Sequence, residues 1–155
     1  MYQEREVINM RMDREQIRKI IPHRPPMLLA DTVEALEEGS HIVTRFHVAP
    51  DWRIFEGHFP GAPVLPGIYT VECMGQAADI LLLSCARYAG TTPYLIGIDN
   101  IRFISKVAPG DMLEVHATIS SERQEKGIVA CTAEVYNLSA NNQVCCTGEV
   151  ILAMR

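Results

Sequence analysis

An α+β fold, with a curved antiparallel sheet wrapped around one long central helix, is predicted by three observations. Residues 67–88, "GIYTVECMGQAADILLLSCARY", form one extended helical run whose apolar residues lie around most of the circumference, the pattern of a helix buried on most sides. Beyond Gly90 the chain alternates apolar and polar residues with period two in four segments. Two further strand-like segments precede the helix, so strands flank a single helix, and the βαβ alternation of a parallel sheet is missing.

Taken in order, residues 1–12 read as a loosely held arm of a single domain spanning 1–155. Asp13, with Gln16 three residues on, has the form of a capping box and opens a short helix, "DREQIRKII", that Pro22 and the Pro25-Pro26 pair close. This helix is expected to act as a lid and not as core. "MLLADTVEAL" and "HIVTRFHV" are expected to pair antiparallel across "EEGS", which has the composition of a hairpin turn. Residues 51–66 carry three prolines (Pro60, Pro63, Pro66) with Gly57 and Gly61, so a stiff loop is expected there. After the long helix come "YLIGIDNIRFISKV", "DMLEVHATISSE", "GIVACTAEVYNL" and "QVCCTGEVILAM", joined by turns at "APGD", "RQEKG" and "SANN".

Composition narrows the function. Net charge is −5 with acidic and basic residues interspersed, and no block of Lys and Arg could neutralise a line of phosphates, which argues against nucleic acid as a partner. The N-terminus is too charged for a secretory signal, and the longest aliphatic run, Ile80 to Leu83, is too short to span a bilayer, so a cytoplasmic protein without a membrane partner is expected. Five cysteines, odd in number and without CxxC spacing, point to reduced and mostly buried thiols. His41 and His47 stand on the order of 20 Å apart in an extended strand, too far to share an ion. No metal and no cofactor are expected.

The chemistry is concentrated between Phe55 and Gln76. Glu72 lies among Ile68, Val71, Cys73 and Met74, where a charged carboxylate is costly to bury. It either lies on a solvated edge, or pairs with an arginine, or shares a polar pocket with Tyr69 and Gln76, its uncharged neighbours one turn away. His58 sits between Gly57, which permits close approach, and Phe59 and Pro60, which restrict its surroundings. Gly67, after Pro66, falls at the start of the helix. It either relieves crowding or leaves a backbone N–H open, and the first N–H groups of a helix can stabilise an oxyanion. A base, an acid and an oxyanion site are the parts needed to take a proton from beside a thioester carbonyl while expelling a β-hydroxyl. Glu56 is a rival carboxylate, more suited to a solvated loop. Cys73 projects about 100° away from Glu72 and is not placed as a nucleophile.

At these residues the chain resembles the FabZ-type (3R)-hydroxyacyl-acyl-carrier-protein dehydratases. The pattern runs through "PHRPPMLLAD", "FEGHFPGAPVLPG", "VECMGQ" and "IDNIRFISKVAPGD" in that order, and covers nearly everything beyond the N-terminal arm. The resemblance implies a hot-dog fold in a homodimer, commonly a homohexamer built as a trimer of dimers, with His58 of one subunit facing Glu72 of the other. It implies that His58 removes the α-proton, Glu72 protonates the departing hydroxyl and the Gly67 N–H binds the carbonyl. Tyr94 is implied as a gate at the mouth of an acyl tunnel whose depth Phe59, Leu65 and Ile98 influence, with Gln76 among the substrate-binding residues. The partner implied is acyl carrier protein, itself acidic, so docking calls for a local basic patch; Arg102, Lys106, Arg123 and Lys126 are candidates or else solvated charges. Two departures fall outside the catalytic residues: Asp51 stands where an asparagine is frequent, and Ile104 and Ser105 replace a basic residue after Phe103. A hot-dog thioesterase and a non-catalytic acyl-binding module are the alternatives; the latter calls for an output domain, which the segment before Pro22 is too short to supply.

Overall fold

The computed structural model describes residues 10–155. Helix α1 (Arg14–Arg18) is opened by Asp13, whose carboxylate accepts from the Gln16 N–H at 2.9 Å while the Gln16 side chain accepts from the Asp13 N–H at 2.9 Å. Both halves of the expected capping box are therefore present. The helix is shorter than the sequence implied, and it is not a lid. Ile17 and Ile21, one turn apart, are both fully buried and fasten the segment to the core. Ile17→Ala is expected to destabilise the fold by about 2–5 kcal/mol, read as a lowered urea midpoint; an unchanged midpoint would restore the lid. The expectation of a loose arm falls mostly on residues outside those described, but Met12 exchanges two 3.0 Å backbone bonds with Val33 and is held.

Strands β1 (Thr32–Glu37) and β2 (His41–His47) form the expected hairpin, with Gly39 at φ 73° supplying the left-handed turn residue. Residues 27–31, expected as strand, are instead turn and extended coil. The physical reason is that Leu29 and Ala30 give their N–H groups to the Gln76 side chain and not to a neighbouring strand. Helix α2 (Gly67–Leu83) is the central helix, with twelve of its residues buried. It stops short of the predicted Tyr88: Ser84 Oγ donates to the Ile80 carbonyl at 2.7 Å, and Cys85 turns extended before a single 3-10 turn at Ala86–Tyr88. Arg87 then grips Glu122 through Nε and Nη2 at 2.7 and 2.9 Å, tying the helix end to the sheet.

The second half supplies β3 (Pro93–Phe103), β4 (Met112–Arg123), β5 (Ile128–Asn137) and β6 (Gln143–Met154). All strands pair antiparallel in the order β1-β2-β4-β5-β6-β3. Register shifts interrupt β1, β3, β4 and the β5–β6 ladder, and bulges of this kind bend strands and deepen twist, so the sheet curls around α2. The core lies between α2 and the concave face, where Ile42, Leu113, Val115, Val135, Val150 and Leu152 meet Met74, Ile80 and Leu81.

Strand β3 departs from the half-buried alternation its sequence suggested. Among the described residues it is an edge strand paired only to β6, and Tyr94, Leu95, Ile96, Ile98 and Phe103 are all largely exposed. A long apolar edge of this sort is a template for a further strand.

Candidate active site

The loop between β2 and α2 is ordered by its aromatic residues and its own backbone. Trp52 packs edge-on against Phe46, Phe55 and Tyr69, the last at 4.7 Å between ring centroids, and this cluster seats a 3-10 turn at Arg53–Glu56. The turn hands the chain to His58, whose N–H donates to the Ile54 carbonyl at 3.1 Å. A reversal then brings Val64 back: its N–H donates to the His58 carbonyl at 2.9 Å, and its own carbonyl lies 2.7 Å from His58 Nδ1. A carbonyl can only accept, so Nδ1 carries the proton and Nε2 keeps a lone pair, the tautomer a general base requires. Phe59 stacks on the imidazole at 4.1 Å between centroids and is otherwise half exposed. Tyr69, which the sequence placed near Glu72, belongs to the Trp52 cluster. Glu56 lies on the exposed surface beside Arg53.

Gly67 begins α2, so its N–H has no acceptor within the helix. It opens on a cavity of about 390 Å³ lined by Leu65, Ile68, Thr70, Phe103 and Lys106 among others. A Cβ at Gly67 would lie 2.6 Å from Phe103 Cε1, so the glycine also permits the Phe103 ring to pack there; both readings of this residue have a structural basis.

One turn further, Glu72 is partly exposed and Gln76 is fully buried. Gln76 uses its whole amide: Oε1 accepts from the N–H groups of Leu29 and Ala30 at 2.8 and 3.2 Å, and Nε2 donates to the Met27 carbonyl at 2.7 Å and to Glu72 Oε1 at 2.9 Å. Gln76, expected among the substrate-binding residues, spends its amide on these four partners; it fixes Glu72 and ties the 27–30 segment over the helix. Leu65 is likewise buried, with its N–H on the Val107 carbonyl at 2.8 Å, and forms a wall. Tyr94 and Ile98 lie on exposed β3.

Two residues without an assigned role in the sequence join this site. His23 Nε2 stands 3.6 Å from Glu72 Oε1 and 3.7 Å from Asp79 Oδ2. Arg24 holds the loop that carries His23 by donating to the carbonyls of Ile21, His23 and Arg18 at 3.0, 2.7 and 2.9 Å. Burial pushes the His23 imidazole down, against the pull of Glu72, and Arg24 pushes it further the same way. Asp79 is 5% exposed, and burial together with the nearby Glu72 charge lifts its carboxyl to about 8. A signal for Asp79 existed in the helix spacing, since 72, 76 and 79 fall at i, i+4 and i+7 on one face.

The side chains of His58 and Glu72 have different hydrogen-bond partners, the Val64 carbonyl for the first and Gln76 for the second. Among the described residues no hydrogen bond or ion pair connects them, and the Gly67 cavity includes neither. The four basic residues do not form one patch. Arg123 pairs with Ile128, Ile128 with Ala153 and Ala153 with Tyr94, which puts Arg123 at one end of the sheet; Arg102 lies eight residues along β3, on the order of 26 Å away. All five cysteines are buried and free, and burial pushes the Cys73 thiol well up, so none is a nucleophile. Among the described residues no group of His, Cys, Asp and Glu is arranged to hold a metal ion, and no helix is long and apolar enough to cross a membrane.

Fold and site together define a hot-dog domain that carries a histidine and a carboxyl in settings suited to acid–base chemistry. Over residues 21–149 the sequence matches the FabA-like domain family, and the chain belongs to that family. It is 40% identical over 139 residues, 90% of each chain, to a protein named 3-hydroxyacyl-[acyl-carrier-protein] dehydratase FabZ from Lactobacillus helveticus. It is 38% identical over 143 residues, 92% of this chain and 99% of the other, to one of the same name from Clostridium perfringens. Among solved structures, the dehydratase heterocomplex ApeI:P from Xenorhabdus doucetiae superposes with a TM-score of 0.72 at 19% identity, covering 90% of both chains. A hypothetical thioesterase with coenzyme A from Streptococcus pneumoniae gives 0.60 at 11% identity over 79% of this chain and 84% of that one. At these identities the two structures speak for the fold alone.

Proposed function

We propose that this protein dehydrates (3R)-3-hydroxyacyl thioesters of acyl carrier protein to trans-2-enoyl thioesters; its relatives are named 3-hydroxyacyl-[acyl-carrier-protein] dehydratases. The observation that carries the reading is the pinned imidazole of His58, whose Nδ1 is committed to the Val64 carbonyl so that Nε2 is a ready acceptor. In this reading Nε2 takes the α-proton, the electron pair moves into the thioester carbonyl, and the Gly67 N–H with the α2 dipole stabilises the oxygen. As the carbonyl re-forms, the β-hydroxyl leaves with a proton from Glu72 as water. Gln76 holds Oε1 of Glu72 as an acceptor, which assigns the transferable proton to Oε2.

The exposed β3 edge, and the lack of any bond between His58 and Glu72 among the described residues, support an active unit of two chains, β3 against β3, and assembly of such dimers as a hexamer. Tyr94, Ile98 and Phe59, exposed in the single chain, would then line the acyl path with Leu65. Arg102 and Lys106 near the Gly67 cavity, and Arg123 and Lys126 at the Tyr94 end, are two separate candidate surfaces for the acidic carrier protein. A cytoplasmic location accords with five free, buried thiols.

Incubation with a 3-hydroxyacyl carrier-protein substrate is expected to yield a product lighter by one water, with the double bond at C2. Free thiol release without loss of water would favour a thioesterase, and binding without turnover an acyl-binding module. Gly67→Ala is expected to keep the fold, because the Phe103 ring is exposed and can swing away, yet to lower kcat by about 10²-fold through the donor it crowds. Unchanged kcat in a folded Gly67→Ala protein would remove the oxyanion role.

A further inference from the structure

The face of α2 that carries Glu72 holds more titratable groups than the elimination uses. Glu72, Gln76 and Asp79 point the same way, and His23 lies over them with Nε2 almost equidistant from Glu72 Oε1 and Asp79 Oδ2, at 3.6 and 3.7 Å. Neither separation is a formed hydrogen bond. A small tilt of the ring closes one at the expense of the other. The two buried side-chain atoms without a partner among the described residues are both here, His23 Nδ1 and Asp79 Oδ1. Unpaired buried polar atoms are costly, and here the cost falls beside a reacting acid.

We propose that Asp79 is a charge-dependent rival of Glu72 for the single N–H of His23, and that His23 is a positioning residue whose allegiance to one carboxyl or the other sets how Glu72 is held. This inference rests on the dehydratase reading for its effect on turnover, though not for its effect on His23 itself.

A neutral imidazole has one N–H, and the nitrogen that faces the two carboxyls is Nε2, so that is where the proton serves. While Asp79 is protonated it competes weakly, and His23 tilts toward Glu72 Oε1. Oε1 then accepts from both Gln76 and His23, and the acid's proton stays on Oε2, the oxygen left for substrate. Once Asp79 ionises, its carboxylate takes the His23 N–H and Glu72 is held by Gln76 alone. The groups that bear on this exchange are Arg24 on the His23 loop, Glu72 on α2 itself and the Cys131 thiol on β5, which senses the Asp79 charge from the sheet side. Burial, the first cause of its raised value, holds Asp79 protonated through neutrality whether or not Glu72 carries its proton, which places the exchange on the alkaline side of the working range.

The test uses the whole protein, with Asp79→Asn as a near-isosteric substitution that cannot ionise. In the resting enzyme, the 15N and 1H signals of His23 Nε2–H are expected to move between pH 6 and 9 in the wild type and to stay fixed in Asp79→Asn. Signals that move equally in both, or in neither, overturn the proposal whether or not the protein is active. In turnover of a 3-hydroxyacyl thioester, the alkaline limb of the kcat profile is expected to shift to higher pH in Asp79→Asn with KM unchanged. That shift should vanish when His23→Asn is added, since there is then no donor to compete for. Superimposable kcat profiles for wild type and Asp79→Asn, or a shift that survives His23→Asn, overturn the proposal and leave the dehydratase reading intact. A wild type that binds but does not dehydrate the thioester overturns the dehydratase reading, and the His23 signals then decide the proposal.

Discussion

Glu72→Gln and His58→Ala are each expected to lower dehydration of a 3-hydroxyacyl thioester by about 10³-fold, within the range that one positioned acid or base contributes. The glutamine keeps the shape of the glutamate and its place beside Gln76 but has no proton to give. The alanine leaves the Val64 carbonyl without its partner and the α-proton without an acceptor. The same two inactive proteins supply a sharper test, because His58 and Glu72 are held by different partners in one chain. If each site draws one residue from each chain, a mixed dimer places both substitutions in one site and leaves the other whole. Random re-association of equal amounts should return about a quarter of the wild-type rate. No recovery on mixing, with heterodimer formation verified, would mean that the two residues act within one chain.

Asp79→Asn is expected to have the second large effect, this time on stability. The carboxyl has an ordinary value of 3.8 and about 8 in the folded chain. Between those values the unfolded chain releases its proton while the folded chain keeps it, so the folded state loses ground as pH rises from about 4 to 8 and no further above that. At pH 7 the penalty is roughly 4 kcal/mol, before the cost of burying an amide in its place. Thermal unfolding of Asp79→Asn should therefore show a gain over wild type that is largest near pH 8 and fades toward pH 4. A gain independent of pH, or a loss at pH 8, would refute the buried protonated carboxyl. A group that lowers stability at the pH of work is the kind of feature kept for function and not for folding.

The strands and turns were legible because they depend on local rules. Period-two runs marked β4, β5 and β6 to within a residue or so, and Gly39, Gly127, Asn141 and Asn142 adopt the left-handed turn conformations that their types favour. The capping box at Asp13 was equally local. What failed was set by tertiary structure. The end of α2 at Leu83 hangs on one serine hydroxyl, and nothing in the pattern of residues 84–88 distinguishes it from more helix. The extra strand length assigned to residues 27–31 was lost to the Gln76 amide, forty-seven residues beyond Leu29 in the chain. In the site, Glu72, His58 and Gly67 were visible as residue types in telling company. His23 was not, since it meets Glu72 and Asp79 only when the loop before β1 folds across α2, and Asp79 was marked only by its place on the Glu72 face.

The order of the sheet also bears on how the chain is made. Among the described residues β3 has a single partner, and that partner is β6, a strand synthesised well after it. Forty residues separate the end of β3 at Phe103 from the start of β6 at Gln143, which at typical translation speeds is about 2–8 seconds of synthesis. During that interval Tyr94, Leu95, Ile96 and Ile98 have neither a ladder to join nor a core to enter. A nascent chain is therefore most vulnerable to capture by other chains in the window between these two strands, and a ribosome pause placed after Phe103 would lengthen it.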